Sequence, residues 1–231
     1  MLSSCGARLR ALRALCRDAS APARNPRPAL RSFSSEKDPT PLSSSWSEEL
    51  RLLSHQFMKK CDNGSWTLIP PQVFHDLQYQ AYRTFQNSKL MKGRQVSTTL
   101  FLARNFQEIL GFEYALFYNK DERRVVCFFQ GGPLLQGFPG LLHGGATATL
   151  IDSIMAILAV NTMGFIMTTT LNITYKRPIA IGSVVVLNIQ VDKIEGKKVF
   201  LSCSVRSADE KILYSEATSL YIKLDLEKRL T

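Results

Sequence analysis

Histidine, paired cysteine and long apolar runs are all scarce in this sequence, and each scarcity excludes something. Three histidines (His55, His75 and His143) are too few and too scattered for a metal cluster, and no motif calls for a metal or an organic cofactor. The five cysteines are odd in number and show no C-x-x-C spacing. A disulfide framework or a zinc site is therefore not expected, and a reducing compartment fits. No stretch is a clean membrane span. The nearest, residues 154–167, is interrupted by Asn161 and preceded by Asp152, so a buried helix followed by a turn explains it better. Acidic residues are missing from the N-terminus: residues 1–35 hold seven arginines and only Asp18. The remainder carries 22 Lys and Arg against 18 Asp and Glu, so most of the formal charge of +10 is confined to that extension. A basic balance so placed does not indicate nucleic-acid binding. The mildly basic body suits an anionic small ligand, or peripheral association with a membrane surface.

The extension itself reads as an address. Leu2, Cys5, Leu9, Leu12 and Cys16 fall on one narrow helical face, with Arg10, Arg13 and Arg17 beside it. An amphipathic, Arg-rich, acid-poor start is what a mitochondrial transit peptide looks like, whereas a secretory signal needs an unbroken apolar run. Prolines at 22, 26 and 28 confine any helix to about the first 20 residues. We expect a transit peptide over 1–33, cleaved after Phe33, and delivery to the mitochondrial matrix or inner membrane. A cytosolic or plasma-membrane pool is left open.

Residues 34–45, rich in Ser and Pro, read as a linker. Ser45 with Glu48 forms a capping-box pattern before a helix whose apolar positions are Trp46, Leu50, Leu53 and Phe57, and Asn63-Gly64 stops it. Residues 46–110 as a whole are expected to form a helical extension. From 111 to 231 the pattern changes: two aromatic and β-branched runs (112–118 and 123–129) flank a turn at 119–122. A Gly/Pro loop and a strongly apolar helix from about Ala146 to Val160 come next, then four more strand-like runs at 165–175, 183–193, 197–206 and 212–223. A helix apolar nearly all round must be wrapped. The expected fold is α+β, a six-stranded curved antiparallel sheet around a central helix, with extra N-terminal helices.

Gly144-Gly145 opens the buried helix. A helix N-terminus presents unpaired N–H groups and a partial positive charge, and two glycines allow a carbonyl to approach the backbone closely. Asp152 lies inside the same apolar helix, where a carboxylate is costly unless paired or functional. The eight helical steps from Gly144 to Asp152 span roughly 12 Å, too far for both to act on one bond. If they do act together, they come from two subunits with antiparallel helices, and the chemistry requires a dimer. The plainer readings are an Asp152 paired with a lysine, a Thr168 present only for strand propensity in the run Thr168-Thr169-Thr170, and solvated lysines at strand ends.

The segment from Leu142-His143-Gly144-Gly145-Ala146 through Ile151-Asp152 resembles the signature of the hotdog-fold acyl-CoA thioesterases. Phe129-Gln130-Gly131-Gly132-Pro133, Asn172-Ile173-Thr174-Tyr175-Lys176-Arg177-Pro178 and Tyr214-Ser215-Glu216-Ala217-Thr218 extend the match, which covers nearly all of 46–231. The resemblance implies hydrolysis of medium- and long-chain acyl-CoA by a homodimer. Asp152 is then general base or nucleophile, the Gly144 N–H an oxyanion donor, and Gly145 a further substrate contact. His143 supports that hole, and Thr168 orients the water or the carboxylate. Lys176, Lys197 and Lys198, with Thr174 nearby, meet the CoA phosphates. Some relatives place an Asn or Gln in the preceding loop; here the matching position falls near Gln136-Gly137. The resemblance also implies an alternative of another class, a binding protein restraining an Akt-class protein kinase through residues 46–110. A dehydratase fits less well, because it pairs a catalytic histidine with a carboxylate on this helix.

Overall fold

The computed structural model describes residues 46–69 and 111–225. The expected transit peptide, the linker, residues 70–110 of the extension and the last six residues lie outside the described residues.

Helix α1 spans Glu48–Met58. Its N-cap is Ser47, whose side chain accepts from the Leu50 N–H at 3.2 Å, not the expected Ser45. Glu48 and Glu49 occupy the first turn, where carboxylates favour the positive end of the helix, so the cap falls directly before them. Strand β1 (Thr67–Ile69) then pairs with β2 (Phe112–Asn119), which turns into β3 (Arg124–Gly131). A 3₁₀ turn at Pro133–Leu135 leads to helix α2, Gly144–Met163, three residues longer at its C-terminus than its apolar pattern suggests and two at its start. It ends where Gly164, at φ 81°, returns its N–H to Val160. Strands β4 (Ile166–Tyr175), β5 (Val184–Glu195), β6 (Lys198–Ser207) and β7 (Leu213–Lys223) complete one antiparallel sheet in the order β1-β2-β3-β5-β6-β7-β4. The six expected strands are all present; β1, too short and too close to Pro70 to show alternation, makes a seventh.

The sheet wraps α2, which packs against β3 to β7. Ile151, Met155 and Leu158 are fully buried in that inner core, each contributing about 1.5–3 kcal/mol by burial. The outer face of β2, β3 and β5 is covered instead by α1. There Trp46, Leu50 and Trp66 pack with Phe117 and Phe128, and the Phe57 ring stands 4.9 Å from Trp66 and 4.7 Å from Phe117. Burial on both faces explains why β2 and β3 read as continuous apolar runs. Strand β7 alternates between buried and exposed positions, as a strand covered on one face among the described residues does.

Candidate active site

Asp152 sits half-buried near the middle of α2, and two hydroxyls converge on it. Thr168 Oγ1 donates to Oδ1 at 3.2 Å. Tyr221 Oη lies 3.3 Å from the same oxygen and 3.2 Å from the Asp152 backbone carbonyl. Among the described residues Oδ2 has no partner, so one carboxylate oxygen is anchored and the other is available. Tyr221 is fully buried; that burial first, and the Asp152 charge second, hold its phenol far above its ordinary value. It is a hydrogen-bond donor at any working pH.

Thr168 reaches Asp152 because β4 is irregular. Thr168 pairs with Tyr221 and Thr170 with Leu220, so Thr169 is an extra residue in the ladder. Without that bulge, Thr168 would face the opposite side from Leu171 and Ile173, which pack on the core. The run of three threonines therefore contains one residue placed by a bulge toward a carboxylate, beyond what strand propensity explains.

The second locus is the start of α2. His143 is the N-cap, and its Nδ1 accepts from the Gly145 N–H at 2.9 Å. A Cβ on Gly145 would lie 3.0 Å from the His143 ring, and one on Gly137 would lie 3.1 Å from His143 Cα. Glycine at these two positions lets the imidazole fold over the helix end. The Gly145 N–H is thereby engaged, and the Gly144 N–H is left without a partner among the described residues. Tyr175 Oη donates to the Gly144 carbonyl at 2.8 Å, tying the far end of β4 to the helix start. Gln136, at the position matching the loop amide of some relatives, accepts from the Gly140 N–H at 2.8 Å and so braces its own loop.

The two loci stand at opposite ends of β4 and about 12 Å apart along α2, so one subunit does not bring Gly144 to Asp152. The predicted phosphate contacts divide between these ends. Lys176 lies at the Gly144 end, 3.2 Å from Glu216. Lys198 pairs with Ile222 beside the Thr168 end, and Lys197 stands 3.8 Å from Asp225. Thr174 does not join either group. It pairs with Glu216 and lines a polar groove with Asn172 and Thr218 on the outer face of the sheet, because strand alternation turns it away from Ile173 and from α2. Sequence reasoning missed Tyr221. The available signal was the inward set Ser215, Ala217, Ser219 and Tyr221 on β7, where a buried phenol needs a polar partner on the helix it faces.

Comparison with known proteins places the chain in a family. The family model described as thioesterase superfamily matches residues 139–214. Acyl-coenzyme A thioesterase THEM4 of Mus musculus is 51% identical over 237 residues, and that of Bos taurus 51% over 243, each alignment covering 100% of both chains. Acyl-coenzyme A thioesterase THEM5 of Homo sapiens is 30% identical, covering 80% of this chain and 74% of its own. Among solved structures, thioesterase superfamily member 2 from Mus musculus is 27% identical with a TM-score of 0.40, covering 45% of this chain and 82% of that one. With half of its residues shared along the full length of such relatives, the chain belongs to the acyl-coenzyme A thioesterases of the thioesterase superfamily.

Proposed function

We propose that the protein hydrolyses medium- and long-chain acyl-CoA to fatty acid and CoA, at two composite sites of a homodimer. The observation that carries this reading is Asp152, anchored through one oxygen by Thr168 and Tyr221, with the other oxygen unpartnered among the described residues. As general base, Oδ2 takes a proton from water while the water oxygen bonds to the thioester carbonyl carbon. As nucleophile, Oδ2 itself forms that bond and water later cleaves the anhydride. In either route the carbonyl oxygen becomes negative, the carbon–sulfur bond then breaks, and CoA leaves as thiolate to be protonated. An N–H placed at the developing oxyanion is typically worth about 3 kcal/mol.

That N–H is assigned to Gly144 of a second copy. Among the described residues β4 is the last strand in the sheet, with β7 as its one neighbour, and Met167 and Tyr175 near its two ends are about half exposed. Antiparallel pairing of two such edges sets the Thr168 end of one copy against the Tyr175 end of the other. Since Thr168 holds Asp152 and Tyr175 holds Gly144, the pairing brings each carboxylate toward the other copy's helix start. Lys197 and Lys198 of one copy then approach Lys176 of the other, a basic cluster suited to a polyanionic cofactor-like substrate.

Mixed dimers test both parts. Gly144→Pro removes the N–H at a helix position that tolerates proline, and a Cβ there meets Tyr175 no closer than 3.7 Å. Co-assembled with Asp152→Asn subunits, it should restore activity on palmitoyl-CoA to about half that of the wild-type dimer in each heterodimer, because one of the two sites is then intact. Mixtures as inactive as either parent would sink the composite site. A mitochondrial role draws its support from the Arg-rich, acid-poor N-terminus; N-terminal sequencing of the cellular protein should find cleavage after Phe33. The kinase-restraining alternative gains nothing from the anchored carboxylate, which a docking surface does not need.

A further inference from the structure

A cavity of about 270 Å³ lies on the outer face of the sheet, beside α1 and on the far side from Asp152. Gln56 and Phe57 of α1 face it, with Lys60 just past the helix end. Its floor is Val126 and Phe128 of β3, whose neighbours Val125 and Cys127 point the other way, into the core around α2. The Phe57 ring stands 4.9 Å from Trp66 and 5.5 Å from Phe128, so the wall is aromatic. Two cations join this lining. Lys60 Nζ stands 4.5 Å from the Phe57 ring centre and has no ion pair among the described residues. Arg124 is held in place: its Nε donates to Asn188 Oδ1 at 2.7 Å, and Nη1 lies 3.6 Å from Glu122. Its Nη2 has no partner among the described residues. Glu210, from the turn between β6 and β7, is the one acid among the described lining residues.

Polarity in this cavity is ordered by depth. Val126, Phe128 and Trp66 are buried, whereas Lys60 is exposed and Arg124 half-buried. Such an arrangement fits an amphiphile with an apolar body and an anionic head. Two cations against one carboxylate leave a single positive charge, which suits a monoanion better than a dianionic phosphate. The volume falls just below the range of about 300–1,000 Å³ usual for drug-sized ligands, so a medium-length chain fits and a palmitoyl chain does not. We propose that this cavity binds a medium-chain fatty acid, its chain against Phe57, Trp66 and Phe128 and its carboxylate between Lys60 and Arg124. The choice of a fatty acid among monoanionic amphiphiles rests on the proposed hydrolysis, which releases that class of molecule. The cavity and its charges do not rest on it. Because β3 turns its other face to α2, the site is separate from the catalytic one, and the protein can hold a fatty acid and a substrate together.

Tryptophan fluorescence of the full-length protein reads this site, because Trp66 is one of two tryptophans in the sequence. The catalytic sites are first saturated with S-hexadecyl-CoA, a thioether that cannot be hydrolysed. Decanoate should still bind, with the affinity it shows when the thioether is absent. Lys60→Glu should weaken decanoate about 3- to 5-fold, and the loss should shrink in high salt. Ala208→Phe, whose ring grows into the cavity from the turn after β6, should weaken it about 10-fold. Both variants should hydrolyse palmitoyl-CoA as wild type does, and decanol, which lacks the charge, should bind wild type and Lys60→Glu equally. If Ala208→Phe does not fold, Lys60→Glu decides alone. Decanoate displaced by the thioether, or bound equally by wild type and the folded variants, would overturn the proposal. So would tighter binding of decyl phosphate than of decanoate. Absence of binding would overturn it too, and is the result expected if another segment of this chain already fills the cavity. Wild-type protein that binds decanoate in this salt- and Lys60-dependent way without hydrolysing palmitoyl-CoA would remove the enzymatic reading and leave the site standing.

Discussion

The two ends of β4 carry the two halves of the proposed site, and they are built on different physics. At the Tyr175 end the proposed working group is backbone: an amide left over by helix geometry, framed by a histidine cap and two glycines that admit the imidazole. At the Thr168 end the proposed working group is a side chain, and its placement depends on three elements meeting: α2 supplies Asp152, a bulge in β4 turns Thr168 inward, and β7 supplies Tyr221. The first half is local in sequence and sits on one turn of helix. The second is assembled across 69 residues. A local device fails when its own few residues change, whereas an assembled one can be weakened from any of its contributors.

Asp152→Asn attacks the assembled end at its centre. We expect turnover on palmitoyl-CoA to fall at least 100-fold, with near-normal binding of acyl-CoA, consistent with what positioned acid–base groups supply. Activity equal to wild type in that variant would remove the carboxylate from the mechanism. His143→Ala attacks the local end. It deletes the cap bond to the Gly145 N–H, so about 1 kcal/mol of stability should go, and turnover should drop roughly 10-fold as the helix start loosens. A loss in stability with turnover untouched would show that the cap has no part in holding the Gly144 amide.

Tyr221→Phe sharpens the contrast with a smaller effect. The ring and its burial stay, one donor to Oδ1 goes, and kcat should fall a few-fold, about what one lost hydrogen bond gives. The same variant has a pH signature. Tyr221's phenol is raised in the folded protein above its ordinary value of 10. The stability it confers is therefore complete below about pH 10 and is lost as pH rises beyond that, toward the folded value. Melting temperature should decline less steeply above pH 10 in Tyr221→Phe than in wild type. Identical alkaline slopes would show that the phenol does not titrate in this way. Tyr175→Phe should have the mildest consequence, a two- to three-fold rise in KM, because its hydroxyl braces a carbonyl at an exposed edge.

Much of this was legible in the chain because periodicity and punctuation are local. The helix α2, its opening glycines and six of the seven strands all show as runs bounded by Gly, Pro or Asn, and Asp152 stands out as a charge in an apolar helix. Other features depended on register. Thr168 and Thr174 lie on one strand, yet only Thr168 faces the helix, since the extra residue at Thr169 resets which positions point inward. Nothing in three consecutive threonines announces that bulge. Ser47 took the cap in place of Ser45 for a similarly small reason, the run of two glutamates directly after it.

The sequence by itself determined that a long apolar helix is wrapped by antiparallel strands and that it carries an N-terminal amide pair and one carboxylate. Those follow from hydrophobic burial and from the periods of helix and strand, which each residue feels through its near neighbours. Only the tertiary structure decided which hydroxyls meet Asp152, and that Gly145 is engaged by His143 while Gly144 is not. These are contacts between residues distant in sequence, and they depend on strand register and on one bulge. A shift of a single residue would reverse which side chains face the helix, and local pattern does not encode it.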